Sequence, residues 1–217
     1  MTRIEPFTDQ DRSAVADQLG REPRAVVGVA WRCSCGRPGV IATLPRLPGG
    51  SPFPTTYYLT CPALASRIGT IEASGEMARM AARLGTDPAL AESYRRAHLA
   101  YLADRAHFAE QAGLAPVPEI EGISAGGMPT RVKCLHALAA HALAVGPGVN
   151  PFGDEVVAIL APFLERHRAA TADTHDTSAT PTAEDPGAEN AGAEKTGAEN
   201  PASTRTGAAQ STDEEIR

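Results

Sequence analysis

No apolar run in this 217-residue chain approaches the ~20 residues that a membrane-spanning helix needs, so membrane insertion is not expected. The first residues, Met1-Thr-Arg-Ile-Glu-Pro6, lack the charged-then-apolar pattern of a signal peptide, and the expected location is cytoplasmic. A basic stripe of the kind that binds nucleic acid is also missing. So are a Walker loop, a Rossmann glycine pattern and a His-Glu-x-x-His helix. Cysteine is scarce, with four in all. In a reducing compartment such thiols serve as ligands, redox groups or core fillers more often than as structural disulfides.

Large apolar residues all but vanish from Thr171 onward. That segment is Ala, Thr, Glu, Asp, Gly, Pro and Asn, with a near-repeat in Gly187-Ala-Glu-Asn190, Gly192-Ala-Glu-Lys195 and Gly197-Ala-Glu-Asn200. It cannot bury enough surface to offset its ordering entropy, so residues 171–217 are expected to be a disordered, low-complexity acidic tail. Ten acids against three bases there give −7, within a total of −6, so residues 1–170 are nearly neutral at +1. The tail reads as a solubilising appendage or as an arm for a protein partner. Residues 1–170 remain as one domain.

Along that domain, Thr8 is placed to cap a helix that stops at Gly20, with Asp9 and Asp11 in its first turn. Ala25–Trp31, Pro38–Leu44 and Thr55–Thr60 have the length and β-branched or aromatic content of strands. A helix follows from Pro62, interrupted at Gly75, and another starts at Thr86-Asp87-Pro88 and runs to Gln111. Further helices are expected from about Pro129 to Val145 and from Asp154 through Leu164. The fold class is therefore α+β, a small three-stranded antiparallel sheet with about five helices.

The four cysteines fall in three short segments, Arg32-Cys-Ser-Cys-Gly36, Tyr57-Tyr-Leu-Thr-Cys-Pro62 and Arg131-Val-Lys-Cys-Leu-His136. Two of these segments sit at strand ends. If the first and third strands are neighbours, one edge of the sheet gathers Cys33, Cys35 and Cys61. Zinc takes four thiolate or imidazole ligands, and an iron–sulfur cluster takes thiolates, so Cys33, Cys35, Cys61 and Cys134 form the candidate metal set, with His136 as a substitute. Cys134 and His136 can share an ion only if their helix begins near Leu135, because inside a helix the two point about 200° apart. His141 shares the face of Cys134 but lies ~10 Å along it. His98 and His107 read as ordinary helix residues.

Thiol chemistry is the alternative. Arg32, Arg131 and Lys133 neighbour the cysteines, and cations lower a thiol's pKa and could hold a small anionic substrate. Cys61-x5-Arg67 has the spacing of a phosphatase loop but lacks the glycine such a loop needs.

The segments Arg32-Cys-Ser-Cys-Gly-Arg-Pro38, Pro52-Phe-Pro-Thr-Thr-Tyr-Tyr-Leu-Thr-Cys-Pro62, Gly127-Met-Pro-Thr-Arg-Val-Lys-Cys-Leu-His136 and Asn150-Pro-Phe-Gly153 together resemble a bacterial family. It is the domain-of-unknown-function family number five hundred and one, and the likeness spans about residues 25–164. The resemblance implies an actinobacterial member, encoded near enolase, a septum-formation initiator and an exopolyphosphatase. It implies no particular reaction. It places more weight on Cys33, Cys61, Cys134 and His136 than on Cys35, and makes Lys133 an anion contact beside them. Three functions follow as expectations: a metal-binding regulatory or housekeeping module, a thiol-dependent enzyme, and an interaction protein of cell division whose cysteines are only structural.

Overall fold

A computed structural model describes residues 2–176. The acidic segment expected to be disordered lies outside the described residues from 177 onward. The order of elements is α1 (Asp9–Leu19), β1 (Val26–Arg32), β2 (Pro38–Thr43), β3 (Tyr57–Leu59), α2 (Pro62–Ala73), α3 (Glu76–Thr86), α4 (Pro88–Gln111), α5 (Leu135–Val145) and α6 (Pro151–Asp176). A short 3-10 turn, Pro118–Ile120, lies between α4 and α5. The architecture is a three-stranded antiparallel sheet with six helices among the described residues. None of these helices is long and apolar enough to cross a membrane.

Local chemistry explains most boundaries. Thr8 and Asp11 form a reciprocal capping box at α1, and Gly20 closes it in the left-handed region at φ 65°. Asp87 caps α4 through the amides of Ala89 and Leu90. Gly75, at φ 85°, splits the helical stretch after Pro62 into α2 and α3. The larger difference lies before α5, which starts at Leu135 and not near Pro129. Gly126 and Gly127 hold positive φ and fold the chain back on itself, with Lys133 N–H donating to Gly126 O at 2.7 Å. A Cβ at Gly126 would sit 2.6 Å from the Leu138 side chain, so the reversal is seated directly on α5.

The sheet order is β1-β2-β3, which corrects the idea that the first and third strands are neighbours. An antiparallel meander nevertheless brings their ends together, because both finish beside the start of β2. Arg32 pairs with Pro38 and Leu59 with Val40. The turns carrying Cys33 and Cys61 thus flank the same end of the sheet.

Helix α5 is the centre of the core, with Leu135, Leu138, Ala139, Ala140, His141 and Ala142 all buried. It touches all three strands, α2 and α6. Its alanines let α6 approach so closely that a Cβ on Gly153 would meet the Leu138 carbonyl oxygen at 2.3 Å. Gly153→Ala is therefore expected to lower stability by roughly 1–3 kcal/mol, the usual cost of overpacking. Chemical denaturation at constant m-value measures it.

His141 is a core residue, stacked on Tyr57 at 5.6 Å and edge-on to Tyr101 at 5.1 Å. Gly153 N–H donates to Asn150 Oδ1, which turns the Asn150 amide group towards His141 Nδ1 at 3.2 Å. Nδ1 therefore accepts and the ring is neutral, with Nε2 buried and lacking a hydrogen-bond partner among the described residues. Burial pulls its pKa down to about 4. The unfolded chain binds this proton near pH 6.5, so the contribution is complete above that value and is lost as pH falls towards 4. Its size is on the order of 3 kcal/mol. Urea denaturation at pH 7.5 and 4.5 should show this loss in the wild type and a smaller one in His141→Leu.

Candidate functional site

The late start of α5 makes Cys134 its N-cap residue, with extended φ and ψ, and places His136 in the first turn. Glu72, near the end of α2, reaches across to the same point. Its Oε1 accepts the Leu135 N–H at 2.7 Å and faces His136 Nδ1 at 3.2 Å. His136 Nε2 donates to the Ala65 carbonyl two α2 turns earlier, at 3.0 Å. A Glu72 carboxylate oxygen, Cys134 Sγ and a His136 ring nitrogen all lie within 4.8 Å of one another. All three residues are half-buried.

The electrostatics follow from this packing. His136 faces acceptors on both ring nitrogens, an arrangement that suits the imidazolium. The Cys134 sulfur is the largest influence raising its pKa to about 9, with burial opposing and the Ala65 carbonyl and Glu72 adding to the rise. In return His136 lowers the Cys134 thiol, helped by the first-turn amide of Ala137. Each of the two groups favours the charged form of the other, beside a carboxylate.

Cys33, Cys35 and Cys61 gather separately, at the end of the sheet. All four cysteines are thiols. Cys61 is the N-cap of α2, followed by Pro62 at the first helical position. A hydrogen bond from Cys33 is the main influence lowering the Cys61 thiol to about 6. Burial opposes it, and the amides of Leu64 and Ala63 assist. No hydrogen bond of cap geometry reaches the sulfur, so these amides act as an oriented field at the helix end. Cys35 moves the other way, its pKa raised chiefly by burial. Cys35, Arg37 and Cys61 line a shared cleft.

The cationic candidates are placed less usefully for an anion. Arg32 is committed to acids: Nη1 and Nη2 donate to Asp11 at 2.6 and 2.9 Å, and Nε to Glu5 at 2.7 Å. This pairing holds the Asp11 carboxyl down at about 2. Arg131 and Lys133 are exposed. Arg67, of the phosphatase-like spacing, lies over the Phe163 ring. His98 bonds Ser124 through Nδ1 at 2.8 Å.

Of the sequence candidates, the structure thus brings Cys134 and His136 together with each other and Cys33, Cys35 and Cys61 with one another. Glu72 was missed. Its one sequence signal is an acid at the C-terminal end of a helix, where the dipole disfavours it unless a partner compensates.

A family model described as a protein of unknown function, DUF501, matches residues 29–158. The chain belongs to that family. The span matched to DUF501 contains Glu72, all four cysteines and His136, and leaves out α1 and the greater part of α6. No curated protein and no solved structure matches the chain.

The two thiol environments differ in a measurable way. Iodoacetamide alkylation followed by peptide mass spectrometry across pH 5–9 should give Cys61 a midpoint near 6. Cys35 should remain slow at pH 7, and Cys33→Ala should shift Cys61 back towards the ordinary thiol value. A Cys61 midpoint no lower than that of Cys35 would contradict the assignment, a comparison of pH profiles that does not depend on Cys61 being the more buried of the two.

Proposed function

We propose that Glu72, Cys134 and His136 hold a single divalent ion of the zinc class, and that the protein is a metal-binding module. The observation that supports this reading is the shell around the three donors. A metal-bound histidine typically donates its other ring N–H to a carbonyl or carboxylate, and ligating carboxylates are themselves hydrogen-bonded. Here His136 Nε2 is tied to Ala65 O, and Glu72 is held by the Leu135 amide. Nδ1 is then the nitrogen able to turn a lone pair towards the ion.

One sulfur, one imidazole and one carboxylate suit zinc better than a hard cation, and three protein donors leave a tetrahedral ion one position for water or a small ligand. An iron–sulfur cluster takes four thiolates, and the group offers one. The cleft alongside, about 560 Å³ and bordered by Thr60, Pro62, Ala65, Cys134 and His136, is the route to that position. When bound, such an ion supplies Lewis acidity. The chain's own groups would orient the donors and shield the centre beneath α2 and α5, and the protons of Nδ1 and the thiol would pass to solvent as the ion binds.

The reading is tested by elemental analysis of full-length protein purified without a chelating tag. About one equivalent of zinc is expected for the wild type, with Glu72→Gln and Cys134→Ser falling to a small fraction and Cys61→Ser retaining it. Chelation should lower stability by about 3 kcal/mol when free metal had stood a hundredfold above its Kd. Less than about a tenth of an equivalent after growth and purification with added zinc would overturn the proposal.

A second reading rests on Cys61. Its lowered thiol at a helix N-terminus, beside a cleft, fits a nucleophile acting on a small electrophile or anion, with Cys33 as its hydrogen-bond donor. The alkylation series above decides whether that thiol is activated.

A further inference from the structure

Arg105 lies on the buried stripe of α4, with Tyr94, Ala97, Tyr101 and Phe108. It is only 6% exposed. A charge removed from water costs several kcal/mol unless an opposite charge compensates it, and a guanidinium does not escape by losing its proton. No carboxylate among the described residues pairs with it. Its partners are carbonyls: Nη1 donates to Pro54 O at 3.4 Å and Nη2 to Ile123 O. These use two of the five N–H donors of a guanidinium.

The same side chain lines a cleft of about 510 Å³ between the C-terminal half of α4 and the segment that carries the 3-10 turn. The walls are Leu102, Ala106, Ala109, Leu114, Val117 and Ile120, with no aromatic ring. Glu110 and Glu121, both exposed, stand at its border. An ion pair between Arg46 and Glu119, 2.9 Å, fastens the 3-10 turn to the loop after β2 and keeps the cleft framed.

We propose that this cleft binds a monoanionic amphiphile, a carboxylate on an unbranched aliphatic chain, with its head at Arg105 and its tail along the aliphatic walls. Charge selects the head: a buried cation with spare donors and no acid of its own is completed by one carboxylate. The acids at the border select against a second negative group. The walls select the tail, because they offer methyl and methylene contacts over a length and no ring to stack upon. The site is remote in sequence from Cys134 and His136 and does not depend on metal there.

Isothermal titration of the full chain tests this with dodecanoate, dodecanol and dodecanedioate, each below its aggregation concentration. Dodecanoate should bind saturably at one site, at least tenfold more tightly than either comparator. Arg105→Met should reduce dodecanoate to the level of the alcohol, and Ala109→Trp, which fills the cleft while keeping the guanidinium in the chain, should abolish binding. Glu72→Gln should bind as the wild type does. Absence of saturable dodecanoate binding, equal affinity for acid and alcohol, or an undiminished Ala109→Trp would overturn the proposal. Should Arg105→Met fail to fold, the acid-to-alcohol ratio and Ala109→Trp still decide it.

Discussion

The Glu72 carboxylate joins two helix ends, and the arrangement of the site depends on it. By accepting the Leu135 amide it satisfies one of the donors that every helix start leaves over, and by facing His136 it fixes the ring against α2. Cys134, as the N-cap, offers no capping hydrogen bond of its own. An acid from a distant helix therefore does what a serine or aspartate does elsewhere. The helix cap and the candidate ligand group share the Glu72 carboxylate, so the stability of the α5 start is tied to the geometry of the site.

Both thiols whose pKa is lowered share one architectural device. Cys61 precedes α2 and Cys134 precedes α5, so each sulfur stands at the positive end of a helix dipole. Their partners differ. Cys61 takes a hydrogen bond from another thiol, whereas Cys134 takes an imidazolium backed by a carboxylate. That difference separates a nucleophile-like environment from a ligand-like one within a single small domain. The meander explains why the first environment exists at all: strands β1 and β3 run the same way on either side of β2, so their ends meet beside its start.

Much of this was legible in the sequence. Thr8, Gly20, Asp87 and the strand compositions announce their elements through local chemistry, and each element is where that chemistry places it. The start of α5 was not legible, because Pro129 and the apolar residues after Val132 have the look of a helix start. What overrides them is tertiary: glycines 126 and 127 fold the chain over Leu138. Glu72 was hidden for a similar reason, since a lone acid on an amphipathic helix reads as a solvated residue until α5 is packed on α2. Arg105 did leave a signal, a charge set on the stripe of Tyr94, Tyr101 and Phe108, four residues after Tyr101 where a hydrophobe belongs. The meaning of such a residue lies in what it lacks, and only the packed structure shows that no acid among the described residues reaches it.

X-ray absorption at the zinc edge, on metal-loaded full-length protein, tests the central claim most directly. One sulfur scatterer at about 2.3 Å with nitrogen or oxygen neighbours at about 2.0 Å is the predicted shell. A shell of three or four sulfurs would mean that the thiols from both groups converge on one ion, and a shell without sulfur would remove Cys134 from the centre; either contradicts the account.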